Sequence, residues 1–321
     1  IDRTRFRSNK MASNYPNGIK DLVLRGTPIT QLHPGVVYFV NSTSVFAKGG
    51  IAGSNNNPGT YQRPYATIDY AIGQCVANRG DIIVVMPGHT ETISAAAGVA
   101  QDVAGVAVIG LGDGSLRPTI NYTATASTWT MSAANCKMIN ILHTGGIDAV
   151  VSPIVVSAAD CMIVNCELRD VTGQMTDGIL TTAGAARLKI LNHRHDGAAA
   201  AGTNAAIALV GGDDIEITID KMDGNFAVGG IDVRTTATTD LLVHDVVSFR
   251  TRNAADIFLV DTITASTGQI GPNINLRLQD NAANITESIT GATFVVIDPV
   301  YVVNLAGEKA MLINWTASTD A

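Results

Sequence analysis

The spacing of apolar residues changes character once along the chain. Ile68, Ala71, Ile72, Cys75 and Val76 recur at i, i+3, i+4, i+7 and i+8, the spacing that gathers side chains on one helix face. Thr67 precedes them as an N-cap candidate and Gly80 follows as a stop. The pattern predicts a capping helix over 67–78. Asp81 to Met86 then reads as a buried strand closed by Pro87-Gly88. Beyond that point short β-branched runs alternate with Gly, Asn, Asp and Ala turns.

These runs repeat. Ala134 to Ile141 aligns with Ala159 to Cys166 at an interval of 25, so that Cys136 falls on Cys161, Met138 on Ile163, Ile139 on Val164 and Asn140 on Asn165. The next unit is Ala185 to Asn192, with Leu188 lying 25 beyond Ile163, and Asp213 to Ile219 repeats it after 27. Thr239 to His244 follows at a similar interval, and a looser unit runs from Asp256 to Leu278. A second short strand precedes each unit, as at Thr128–Met131 and Ile154–Val156. No unit of this size can bury its own apolar face, so the units must stack into one continuous core. The fold predicted is all-β, a parallel β-solenoid with about 25 residues per coil. An antiparallel sandwich would not require like residues to fall at a constant interval.

Both ends of such a stack carry open edges that need cover. Residues 1–45 are Pro- and Gly-rich around the single strand-like run Val36–Val40, and read as an extended arm. The solenoid is placed at 46–285, with the helix over 67–78 covering its first coil. Residues 286–321 contain three runs that break the period, Thr293–Asp298, Tyr301–Leu305 and Ala310–Trp315. They read as a C-terminal β cap that could also join subunits.

The run Arg63-Pro64-Tyr65-Ala66-Thr67-Ile68-Asp69-Tyr70-Ala71-Ile72, followed by Gly80-Asp81-Ile82-Ile83-Val84-Val85-Met86-Pro87-Gly88-His89, resembles the entry to a pectin-lyase-like right-handed parallel β-helix. Val108-Ile109-Gly110-Leu111-Gly112 and Arg117-Pro118-Thr119-Ile120 are similar to its next coil. The resemblance spans roughly residues 60 to 280 and implies a right-handed fold. It does not choose among the functions of that superfamily, which include pectate lyases, polygalacturonases, phage tailspikes and non-enzymatic virion proteins. The arm, with Tyr15-Pro16-Asn17-Gly18 and His33-Pro34-Gly35, also resembles β-helix proteins of tailed phages.

Composition narrows the choice. The chain has 321 residues, 46% hydrophobic, 15% charged and 5% aromatic, well below the roughly 25% charge of an average globular chain. Few aromatics count against a sugar platform built on tryptophan stacking. The net charge of −7 leaves no nucleic-acid footprint over the whole chain, and no run of 18 apolar residues suggests a membrane span. The exception is the basic start, with Arg3, Arg5, Arg7 and Lys10. It reads either as a solvated tail or as an arm seeking an acidic protein surface. Cys75, Cys136, Cys161 and Cys166 form no C-x-x-C pair and read as free, buried thiols.

Candidate chemistry is sparse. Gly110-x-Gly112-x-Gly114 follows a strand, but Arg117-Pro118 comes next instead of the helix a dinucleotide fingerprint requires. Asp213-Asp214 resembles the paired aspartates of polygalacturonases, yet the Asn-Thr-Asp, Gly-His-Gly and Arg-Ile-Lys elements of that family are missing. The Arg-x-Pro-x-x-Arg pattern of pectate lyases is missing too. The densest polar run is Asn192-His193-Arg194-His195-Asp196-Gly197. At an interval of 25, Asp170, His195 and Asp220 would stack on one ridge, placing a histidine between carboxylates as acid–base catalysis uses it. The plainer reading is that each coil needs a polar turn. His193 and His195 point to one face of a strand, but two ligands do not make a metal site. No cofactor is expected.

The leading expectation is a structural virion protein of a tailed phage, a capsid decoration or head-fibre protein. It would be homotrimeric and docked through its arm to the major capsid protein or another virion protein. The alternative is a polysaccharide lyase, hydrolase or tailspike depolymerase located at the tail. That enzyme would act on a host surface glycan through His193, His195, Asp213, Asp214 and Asp220. A non-catalytic glycan-binding adhesin is the third class.

Overall fold

In the computed structural model the described residues are 23–24, 27–28, 35–42, 52–170, 175–197, 203–251, 257–263, 265–278, 289–290, 293–297, 299–304, 306–307 and 309–312. They form a parallel β-solenoid with three strand positions per coil. The first position begins with Ile82–Val85, Ala107–Gly110, Lys137–Ile139 and Met162–Val164. The second begins with Thr90–Ile93, Thr119–Tyr122, Leu142–Gly145 and Glu167–Asp170. Further along, both positions merge into the long strands Lys189–Asp196, Glu216–Gly224 and Leu241–Thr251. The third position is a separate sheet of eight strands, from Val99–Gln101 to Ile289–Thr290. Eight stacked strands are separated by seven coil steps.

The register confirms the first alignment and corrects the second. Met138 pairs with Ile163 and Ile139 with Val164, as the 25-residue interval predicts. Ile163, however, pairs with Ile190 and not with Leu188. The next steps pair Ile190 with Ile217 and Ile217 with Val243. The cause is local. Residues 157–161 connect the strand Ile154–Val156 to Met162–Val164, whereas 182–188 connect Asp177–Thr181 to Lys189–Asp196. Two extra residues enter that turn, and the interval becomes 27.

Left-handed corners hold the coils apart at a fixed pitch. Before the first strand position lie Asn135, Asp160, Arg187, Asp214 and Asp240, and after it Asn140, Asn165, Asn192, Asp245 and Asn273, all with positive φ. Asn and Asp tolerate this region better than other residues with a Cβ. At the first corner four backbone N–H groups donate to a carbonyl of the next coil, Asn135 to Ala159, Asp160 to Ala186, Arg187 to Asp213 and Asp214 to Thr239, and that of Asp240 to the Thr267 hydroxyl. Inside, one apolar cluster runs from Val40 to Val302. Phe226 and Phe249 stack in it with ring centroids 6.2 Å apart.

The ends differ from the expectation in detail. Val37–Val40 lies within the segment read as an arm, yet it is the first rung, parallel to Ile82–Val85. Its other edge is covered by a loop, since Phe39 donates to Gly59 and Tyr65 donates to Phe39. The capping helix over 67–78 does not form. Only Ile68–Ile72 is helical. The N–H groups of Gln74 and Cys75 bond three residues back, and that of Val76 donates to the buried Asp81 carboxylate at 2.7 Å. This turns Val76 out to 50% exposure. At the other end Val300–Val303 pairs antiparallel with Lys309–Leu312, which ends the parallel stack. Among the described residues no helix is long and apolar enough to cross a membrane.

Candidate functional site

The sequence candidates do not converge. His193 and His195 lie inside the solenoid, fully buried, because strand alternation turns both toward the core. Among the described residues neither nitrogen of either ring has a hydrogen-bond partner. Burial lowers His193 to a pKa of about 3, helped by its neighbours His195 and His143. Burial also lowers His195, to about 4, against the pull of Asp196 and Asp223. A third buried imidazole, His143, is held by the Tyr122 hydroxyl at 2.9 Å, and burial lowers it to about 3 with help from Arg117.

The ridge Asp170–His195–Asp220 does not exist. His195 pairs with Leu168 on one side and Met222 on the other, while Asp170 pairs with Gly145. The 27-residue step moved each of them off the expected alignment. Asp213 and Asp214 are exposed corner residues. Asp213 accepts from the Thr239 hydroxyl at 2.5 Å, and its carbonyl accepts the Arg187 N–H. Asp220 lies on the outer face, 3.2 Å from Arg194 Nη1. Arg3, Arg5, Arg7 and Lys10 fall outside the described residues. Among the described residues no group of three or more His, Cys, Asp or Glu side chains is placed to hold a metal ion.

What the fold assembles instead is a groove along the corner between the first and second strand positions. Arg117, Asn165, Glu167, Asn192, Arg194, Asp220 and Val247 line it, enclosing about 400 Å³. Asn165 and Asn192 are successive corner residues one coil apart, so their amides repeat at about the 4.8 Å spacing of neighbouring strands. Glu167 sits at one side, 5% exposed, and three guanidinium groups face its carboxylate. Arg117 Nη1 lies 2.9 Å from Oε2, Arg169 Nε and Nη2 lie 3.0 and 2.5 Å from Oε1, and Arg194 Nε lies 3.8 Å from Oε2. Arg117 Nη2 also donates to the Asn165 carbonyl.

A charged ladder continues beside the groove. Arg169 pairs in register with Asp196, Asp196 with Asp223, Asp223 with Arg250 and Arg250 with Arg277. Lys221 Nζ lies 3.1 Å from Asp196, and Arg250 binds Asp223. The sequence carries a plain signal for this ladder, because its members recur every 27 residues. An interval fixed at 25 hides it.

Two further polar clusters also escaped the sequence reading. On the third sheet Arg234 binds both Asp177 and Asp232, with Nη1 3.0 Å from Asp232. Asp177, Asp232 and Asp261 are all buried. Burial, together with the charges of Asp177 and Asp261, raises Asp232 above the usual carboxylate range despite Arg234. On the first sheet His244 stands between Asp245, 2.8 Å from Nδ1, and Glu216, 3.3 Å from Nε2. This is the histidine-between-carboxylates arrangement sought at His195. Here both ring nitrogens are occupied, so neither is available to a substrate. Lys189 on Glu216 and Asn273 on Asp245 extend it over four coils.

The four cysteines are free, and Cys136, Cys161 and Cys166 are buried. Burial raises the Cys161 and Cys166 thiols to about 11, the inert form of the side chain. Comparison with protein-family models, with curated proteins and with solved structures finds no match.

Proposed function

We propose that the chain is a structural protein of a tailed-phage virion, a capsid decoration or head-fibre protein that works as a stiff rod and not as an enzyme. One observation carries this reading. The strongest candidates for acid–base chemistry are either sealed in the core, as His193 and His195 are, or already paired, Glu167 and Glu216 across coils and Asp232 with Arg234. Such pairing holds the coils together and leaves little to act on a substrate. In this reading the rod is a right-handed helix of the pectin-lyase-like class, in keeping with the right-handedness of about 98% of parallel crossover connections. The first coil is closed by the segment around Ile68–Ile72. The C-terminal antiparallel pair joins three subunits, and the basic arm with Arg3, Arg5, Arg7 and Lys10 docks on an acidic face of the major capsid protein or another virion protein. A cryo-EM map of the particle that carries the chain tests this. Density at lattice positions on the shell, with the arm at its surface, supports the reading; density at the tail, or no particle at all, overturns it.

A polysaccharide-cleaving tailspike is the second reading, favoured by one feature, the elongated polar groove with Asp220 exposed in it. Cleavage of a host surface glycan that disappears in Asp220→Asn would establish it. Cleavage unchanged in that variant would remove the residue, and no cleavage of any capsular or lipopolysaccharide glycan would remove the reading.

A further inference from the structure

The corner groove gathers guanidinium and amide donors in a chain whose net charge is −7. Two guanidinium groups, from Arg117 and Arg194, and two carboxylates, Glu167 and Asp220, line it, and Arg169 outside the lining adds a further cation on Glu167. Glu167 is buried behind its arginines, so its charge is answered before any ligand arrives. Arg194 uses Nη1 on Asp220 and directs Nε at Glu167 from 3.8 Å, and its Nη2 has no partner among the described residues. The side-chain amides of Asn165 and Asn192 are exposed and likewise unpartnered among the described residues. These donors line one concavity, on well-anchored backbone. The Asn165 N–H is bonded to Leu191, the Asn192 N–H to the Thr218 hydroxyl, and the Asn165 carbonyl to Arg117.

We infer that this groove binds a small oxyanion, a carboxylate or a phosphate, between Arg194 and the amides of Asn165 and Asn192. Guanidinium groups bind planar and tetrahedral oxyanions through paired N–H donors, and fixed donors cost little to organise on binding. Asp220 is then a competitor. Its carboxylate occupies one face of Arg194 and must yield or share when the anion enters. The site does not depend on the role of the rod, because it is built wholly from the outer face of the solenoid.

Isothermal titration of the full chain with inorganic phosphate and, separately, with succinate, at constant ionic strength, tests the inference and distinguishes the two sources of the oxyanion. Binding of at least one probe is expected. Arg194→Gln should weaken it about tenfold, the loss expected for one charged hydrogen bond. Asp220→Asn should tighten it several-fold, because a competing negative charge is gone. That second variant separates an anion site from a site for a cation or a neutral sugar, for which losing the carboxylate weakens binding. Circular dichroism of both variants checks that the rod is intact. Absence of heat with both probes, in the wild type and in Asp220→Asn, overturns the inference; so does weaker binding in Asp220→Asn.

Discussion

Arg117 reaches Glu167 across an entire coil. The strand it leads into, Thr119–Tyr122, pairs with Leu142–Gly145, which pairs in turn with Glu167–Asp170, and the guanidinium passes over the middle rung to the carboxylate beyond it. Three consecutive coils are thereby tied by one side chain.

Removing the carboxylate should therefore cost more than removing any one arginine. Glu167→Gln leaves three guanidinium groups facing each other with no negative charge between them, and a loss of about 3 kcal/mol is expected, at the lower end for breaking a buried ion pair. Arg117→Ala, which leaves Arg169 on Glu167, should cost about 1–2 kcal/mol. Urea unfolding of both variants checks the order. The reverse order would show that the arginines and not the carboxylate hold the cluster.

The buried imidazoles predict an acid-sensitive rod. His143, His193 and His195 are neutral in the folded chain until pH falls to about 3, 3 and 4, whereas an exposed histidine takes up its proton near 6.5. The folded values are depressed, so the stability they confer is complete above about pH 6.5. It is lost as pH falls from there toward 4 for His195 and toward 3 for His143 and His193. Each group contributes about 1.4 kcal/mol per pH unit in that window, and the three together on the order of 4 kcal/mol per unit. His195→Leu and His193→Leu should each remove about a third of the slope between pH 6 and 5. An unchanged slope in both variants would place the titrating groups elsewhere.

Asn140 should show what a left-handed corner requires. Its φ is +56°, and its amide donates to the carbonyls of Gly110 and Gly112, each at 3.0 Å. Asn140→Ala meets the steric cost of that region, about 1–2 kcal/mol, and loses both hydrogen bonds. Asn140→Gly loses the bonds alone. Thermal melts should therefore rank wild type above Gly and Gly above Ala; equal losses would show that only the amide matters.

Among the described residues Arg234 is the only cation bound to Asp177 and Asp232, and Asp261 adds its charge from nearby. Arg234→Leu leaves buried carboxylates facing one another, and a loss of about 3–5 kcal/mol at pH 7 is expected. The gap to wild type, measured at matched pH, should narrow as pH falls, because Asp232, already raised by burial and its neighbouring carboxylates, takes up a proton and relieves the repulsion. A gap independent of pH would mean that the loss comes from packing of the arginine stem.

Much of the fold was legible in the sequence, and most of the candidate site was not. The pairing of Met138 with Ile163 could be read directly, because apolar residues at a constant interval must share a core. Leu188 was misplaced because a turn can lengthen without leaving a mark in the strands on either side. That slip of two residues then carried into the chemistry. It put His195 beside Asp170 when its true neighbour is Leu168, and hid the 27-residue spacing of Arg169, Asp196, Asp223, Arg250 and Arg277. The helix over 67–78 failed for another reason. Its apolar spacing is sound, but a buried carboxylate five residues beyond Val76 takes up a backbone N–H that the helix would have used.

The turn that carries the two extra residues, 182–188, has a practical side. Strands on either side of it keep parallel pairing with the preceding coil, so length there is decoupled from the order of the rungs. A peptide epitope or a short tag spliced between the exposed Ala183 and Gly184 should project from the side of the rod and leave its length and rigidity as they are, which makes this corner a natural port for display.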